Sequence, residues 1–132
     1  MAQDTNEGAN KPRILVVRGS FGMLGGAERE LIQLLRAVHQ RWDVTLATLD
    51  ISDDAEALLG DAKVTLLRPP QPLTWPTGAW SEITAKASKA AEGAWKALPI
   101  PWETYDAVHM SVCKGTLELL PLIPTVLPVH YH

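Results

Sequence analysis

With a single cysteine, Cys113, the chain has no internal disulfide to form, and a reducing, cytoplasmic setting is the default for such a sequence. Nothing in it approaches the ~18 consecutive apolar residues that a membrane-crossing helix needs. The most apolar stretch, 117–129, is broken by Pro121, Pro124 and Pro128. The opening segment 1–11 (MAQDTNEGANK) is polar and lacks the apolar core of a signal peptide. These absences point to a soluble protein with no transmembrane segment, while peripheral contact with a membrane surface stays open. Clustered positive charge is missing too. Twelve Lys and Arg stand against 15 Asp and Glu, for a formal net charge of -3, with the two signs interspersed. A nucleic-acid binder would carry a basic stripe, so no nucleic-acid partner is expected.

What is present suits one folded domain. The chain has 132 residues, of which 46% are hydrophobic and 20% charged, enough to bury a core. Residues 1–12 read as a disordered tail ahead of a domain over 13–132. Ile14, Leu15, Val16 and Val17 form an uninterrupted apolar run within Arg13–Arg18, the mark of a strand buried on both faces. A glycine-bearing loop over 19–26 follows. Then Ala27, Leu31, Leu34, Leu35 and Val38 keep helical spacing, with Glu28 and Glu30 in the first turn and Arg36 and Arg41 near the end, as the helix dipole favours. Further strands are expected over 42–49, 63–67, 105–110 and 125–131. Ser52 is a cap for a short helix over 53–59. A second long helix spans 80–98 until Pro99, on the spacing of Trp80, Ile83, Ala87, Ala91, Ala94 and Leu98. A brief one covers 116–120. The four prolines of 68–78 mark an irregular loop, and Pro128 suits an edge strand. Strands alternating with helices imply an α/β, Rossmann-like parallel sheet of about five strands in the order 3-2-1-4-5, with helices on both faces.

In such a sheet ligands bind beyond the carboxyl ends of the strands, where the strand order reverses. The first strand delivers Gly19, Ser20, Phe21 and Gly22 to that edge, the fourth Ser111, Cys113 and Lys114, and the fifth His130, Tyr131 and His132. Gly22, Gly25 and Gly26 lead directly into a helix N-terminus, where free backbone N–H groups and the dipole favour phosphate. The same glycines also suit a plain tight turn, and the loop is neither a dinucleotide fingerprint nor a P-loop. His130 and His132 share one face of a strand. With His109 they fit a weak metal-ligand pattern, a general base or hydroxyl-binding role, or hydrogen-bonded structural histidines. Cys113 reads as an inert thiol and Lys114 as a solvated cation. Trp80 and Trp95 fit a core, and Trp75 and Trp102 local packing in loops.

The segments RILVVRGSFGMLGGAERELIQLLRAV, WDVTLATLD, YDAVHMS and PTVLPVHYH together resemble the N-terminal domain of the retaining family 4 glycosyltransferases, which have the GT-B fold. The GGAER run, Gly25 to Arg29, is the most telling piece; the 68–101 segment matches nothing in the family. In that family two Rossmann-like domains face each other across a cleft. The N-terminal one mainly holds a sugar or lipid-linked acceptor, and the C-terminal one most of a nucleotide-sugar donor. The resemblance implies that Gly25, Gly26 and Gly22 approach the donor diphosphate and that His130 lies by the transferred sugar as a catalytic residue. His132 is the alternative register. It implies no metal and no cofactor beyond the donor substrate. Ser111, Lys114 and His132, placed by strand order, are the further substrate-binding candidates. The family's donor domain is not among these residues. The expectation is therefore an incomplete hexosyltransferase, inactive alone and dependent on a donor domain, on a separate chain if the enzyme is split. Two other classes compete: a non-catalytic Rossmann-like module binding a phosphorylated ligand or a partner protein, and a small metal-dependent enzyme using His109, His130 and His132.

Overall fold

Apolar residues at four successive positions can be satisfied only if both faces of a strand are covered, and this is what β1 (Arg13–Arg18) finds. The computed structural model describes residues 11–71, 73–76 and 80–131. β1 is the central strand of a parallel sheet with β2 (Asp43–Ala47) and β3 (Val64–Leu67) on one side and β4 (Ala107–Ser111) and β5 (Val129–Tyr131) on the other. The order is β3-β2-β1-β4-β5, as the sequence pattern implies.

Alternate residues of the strands feed two separate cores. Leu15, Val17, Val108 and Met110 face α3 (Trp80–Ala97) and the 3₁₀ segment Leu117–Leu122, where Trp95 and Leu119 are buried. Val16, Val44 and Leu46 face α1 (Gly26–Val38) and α2 (Asp53–Leu59), where Leu31, Leu35, Ala55 and Leu59 are buried. Truncating a buried tryptophan such as Trp95 typically costs about 3–5 kcal/mol, so α3 is anchored chiefly by that side chain. Ser52 caps α2 as expected, accepting the Ala55 N–H at 3.1 Å.

Several expected boundaries move. Residues 1–10 of the anticipated tail lie outside the described residues, but Pro12 is already tied to the sheet, its carbonyl accepting the Asp43 N–H at 2.8 Å. The second strand ends at Ala47 rather than Leu49. Beyond it, Thr48 and Leu49 still donate to the carbonyls of Leu67 and Gly19, at 3.1 and 3.2 Å. The brief helix over 116–120 is a 3₁₀ segment that runs through Pro121 to Leu122. The fifth strand is far shorter than 125–131. Leu127 turns back to donate to the Pro124 carbonyl, and Pro128, lacking an N–H, contributes only its carbonyl, to Val108 at 2.8 Å. β5 is an edge strand, as the proline suggests. Among the described residues no helix is long and apolar enough to cross a membrane.

Candidate functional site

The carboxyl ends of β1 and β4 are joined by one buried hydroxyl. Thr116 Oγ1 accepts the N–H groups of Gly19 and Cys113, at 2.9 and 3.1 Å, and donates to the Ser111 carbonyl at 2.9 Å. Trp95 adds a second brace by donating its indole N–H to the Gly115 carbonyl at 2.7 Å. Gly115 has φ +84, a conformation side chains resist, and a Cβ there would stand 2.7 Å from the Trp75 ring. The loop carrying Cys113 and Lys114 is thus fixed by hydrogen bonds through Thr116 and from Trp95.

Above this joint, where the order reverses between β1 and β4, lies an open cavity of about 400 Å³. One wall is an ion pair between Arg18, from the end of β1, and Glu28, from the first turn of α1, with side-chain exposures of 7% and 14%. Arg18 also donates to the Ser20 carbonyl at 3.0 Å and to the Ser111 hydroxyl at 2.9 Å. Glu28 in turn accepts the Gly25 N–H at 2.8 Å, closing the capping interaction of the G-x-x-E sequence. Asp50, just past β2, and Lys114 also line the cavity. They meet on Trp75: its indole N–H donates to Asp50 Oδ2 at 3.3 Å, and the Lys114 ammonium lies 4.6 Å from its ring centroid. Ser20, Gly22, Met23 and Cys113 complete the lining.

The expected site residues are only partly brought together. Gly22 and Lys114 line the cavity, whereas Gly25 and Gly26, where α1 begins, are not part of its lining. The Gly25 N–H is already held by Glu28, whereas Gly26 has open space around its Cα. Ser111 is 4% exposed and spends its hydroxyl on Arg18, so it positions that side chain from below rather than reaching into the cavity. His130 does not join the described lining. It pairs with His109, which is level with Val16, whereas the cavity lies above Arg18 and Ser111, further along both strands. Its side chain is exposed on the edge strand. His132 lies outside the described residues. Among the described residues no group of three His, Cys, Asp or Glu is placed to hold a metal ion.

Four cavity residues escaped the sequence reading: Arg18, Met23, Glu28 and Asp50. Glu28 had a local signal, the glycine three residues before it, which marks a helix-capping pair. Arg18 had another, a charge closing a fully buried strand beside the ligand-binding edge. Asp50 had one as well, an acidic residue just past the second strand; its contact with Trp75, which arrives from the proline-rich loop, had none. That loop, over its described part, contains no helix or strand. Trp75 and Trp102 are half-buried and pack on the adjacent core, as expected of them, while Cys113 is half-exposed in the cavity rather than buried.

No protein-family model matches the chain, and neither does any curated protein. Two solved structures of the C-terminal domain of a hydrogenase from Pyrococcus furiosus are similar to it in fold. One has a TM-score of 0.52 at 17% identity, covering 91% of this chain and 89% of that one. The other has a TM-score of 0.51 at 16% identity, covering 92% and 91%. At this identity the likeness concerns architecture: an α/β, Rossmann-like domain.

Proposed function

We propose that this chain is the N-terminal, acceptor-side domain of a nucleotide-sugar-dependent glycosyltransferase, and that its cavity receives the phosphate-bearing part of the sugar ligand. One observation carries the reading. The glycine loop after β1 and Lys114 after β4 meet at a single cavity, at the place where parallel α/β sheets bind ligands. Backbone amides at the start of α1 and the Lys114 ammonium suit the charge that develops on a departing diphosphate. A second domain supplies the facing wall and most of the nucleotide contacts. The GGAER likeness supports this assignment, and it assigns His130 to the sugar side, on an exposed edge open to such a domain.

A non-catalytic module that holds a phosphorylated ligand is the second reading. It is favoured by the pairing of Arg18 with Glu28 and by a described lining without a histidine. Equilibrium dialysis of the chain against radiolabelled UDP-glucose, with inorganic phosphate and UDP as competitors, separates the two. The first reading expects saturable binding, displaced better by UDP than by phosphate and weakened about tenfold in Lys114→Ala. Displacement by phosphate alone favours the second. Binding of none of them removes the cavity as a phosphate site.

A further inference from the structure

The four charges around the cavity balance: Arg18 and Lys114 against Glu28 and Asp50. Arg18 and Glu28 neutralise each other inside the wall, which leaves a cation, Lys114, over the Trp75 ring and an anion, Asp50, at its indole N–H. A ligand filling this space with negative charge alone would meet the Asp50 carboxylate. A ligand with a phosphate at one end and hydroxyl donors at the other finds a partner for each, because an ionised carboxylate only accepts.

Asp50 has unused accepting capacity. Its Oδ2 takes two long hydrogen bonds, from Ser20 Oγ at 3.4 Å and from Trp75 Nε1 at 3.3 Å, and Oδ1 accepts none among the described residues. Its backbone is fixed by Phe21, whose N–H donates to the Asp50 carbonyl at 2.6 Å, and by the Thr48 hydroxyl at 3.2 Å. Gly22 keeps the carboxylate's room clear, since a side chain there would run into Asp50 Oδ2. An acidic residue after the second strand is also where dinucleotide-binding sheets hold a ribose hydroxyl. Half-buried, held from behind and open in front, Asp50 is more than a tether for Trp75.

We infer that Asp50 is the hydroxyl-recognising residue of this cavity, and that its ligand class is a phosphorylated sugar whose ring hydroxyls donate to Asp50 while its phosphate faces Lys114. The inference rests on the proposed reading of the cavity as a phosphate site and adds what lies beyond the phosphate. Titration calorimetry of the chain with glucose 1-phosphate, cyclohexyl phosphate and inorganic phosphate tests it, because the first two differ in ring hydroxyls. The wild type is expected to prefer glucose 1-phosphate over cyclohexyl phosphate by about tenfold or more, the scale for hydrogen bonds to a charged group. Asp50→Asn should bring that ratio close to one without weakening cyclohexyl phosphate. Trp75→Phe, which removes only the indole donor, should keep the preference. A wild-type ratio near one overturns the inference whatever the variants do, while leaving the phosphate site in place. So does an Asp50→Asn protein that keeps the ratio, or a Trp75→Phe protein that loses it as fully. If none of the three ligands binds, the phosphate site falls as well.

Discussion

The carboxylate of Glu28 serves two masters: one oxygen accepts the Gly25 N–H at the start of α1, and the other meets the guanidinium of Arg18 at the end of β1. Strand, loop and helix are therefore locked together at the rim of the cavity. Removing one member of a buried pair leaves the other charge without compensation, at a cost of about 3–5 kcal/mol. Glu28→Ala should accordingly lower the unfolding free energy in urea by about 3 kcal/mol, and Glu28→Gln, which can keep the Gly25 bond, should lose less. An Ala variant within about 0.5 kcal/mol of wild type, the usual scatter of surface changes, would mean the pair contributes nothing.

Thr116 gives a second, independent test of how the site is built. Its buried hydroxyl satisfies two backbone N–H groups and one carbonyl. Thr116→Val keeps the shape and strands those groups, each worth about 1–3 kcal/mol when buried and unsatisfied. Thermal unfolding should show a loss of at least about 2 kcal/mol. A neutral outcome would mean that water replaces the hydroxyl.

Two glycines should respond in opposite ways. A Cβ on Gly19 would come within 2.7 Å of the Gly115 carbonyl carbon and the Thr116 nitrogen, so Gly19→Ala should destabilise by about 1–3 kcal/mol. Gly26 meets nothing within 4 Å, and alanine is the better helix former, so Gly26→Ala should leave the melting midpoint unchanged or slightly raised. If the Gly26 amide approaches a phosphate, the same variant should still weaken UDP-glucose binding. Equal affinity for wild type and variant would make Gly26 a turn residue only.

Much of this frame was legible in the sequence because it is written locally. The run Ile14 to Val17 can only be a doubly covered strand, and Ser52 followed by Asp53 and Asp54 can only open a helix. The fifth strand was overextended because Val126 and Leu127 look β-forming, while Pro128 and the turn at Pro124 decide otherwise. The site was less legible. Its topological position follows from strand order alone, which brought Gly22 and Lys114 together correctly. The pairing that shapes its walls joins residues far apart in the chain, Arg18 with Ser111 and Asp50 with Trp75, and no periodicity encodes those contacts.

His130 separates a role in a two-domain enzyme from a role in the fold. Its side chain is exposed at the sheet edge, so His130→Ala should leave the melting midpoint within a few degrees. In an enzyme assembled with its donor domain, loss of a positioned polar group at the reacting sugar should cut turnover by roughly 10²-fold. Unchanged turnover would remove His130 from the reaction site and return the cavity residues to first place.

The most direct measurement is a ¹⁵N–¹H NMR titration of the chain with UDP-glucose. A phosphate-sugar site at the β1–β4 edge predicts saturable shifts at Gly22, Gly25, Gly26 and Lys114, with the Trp75 indole N–H moving as Asp50 takes up ligand. Resonances at the opposite, amino ends of the strands, such as Arg13, Asp43 and Ala107, should stay still. Saturable shifts confined to the β5 edge, or no saturable shift at millimolar ligand, would contradict it.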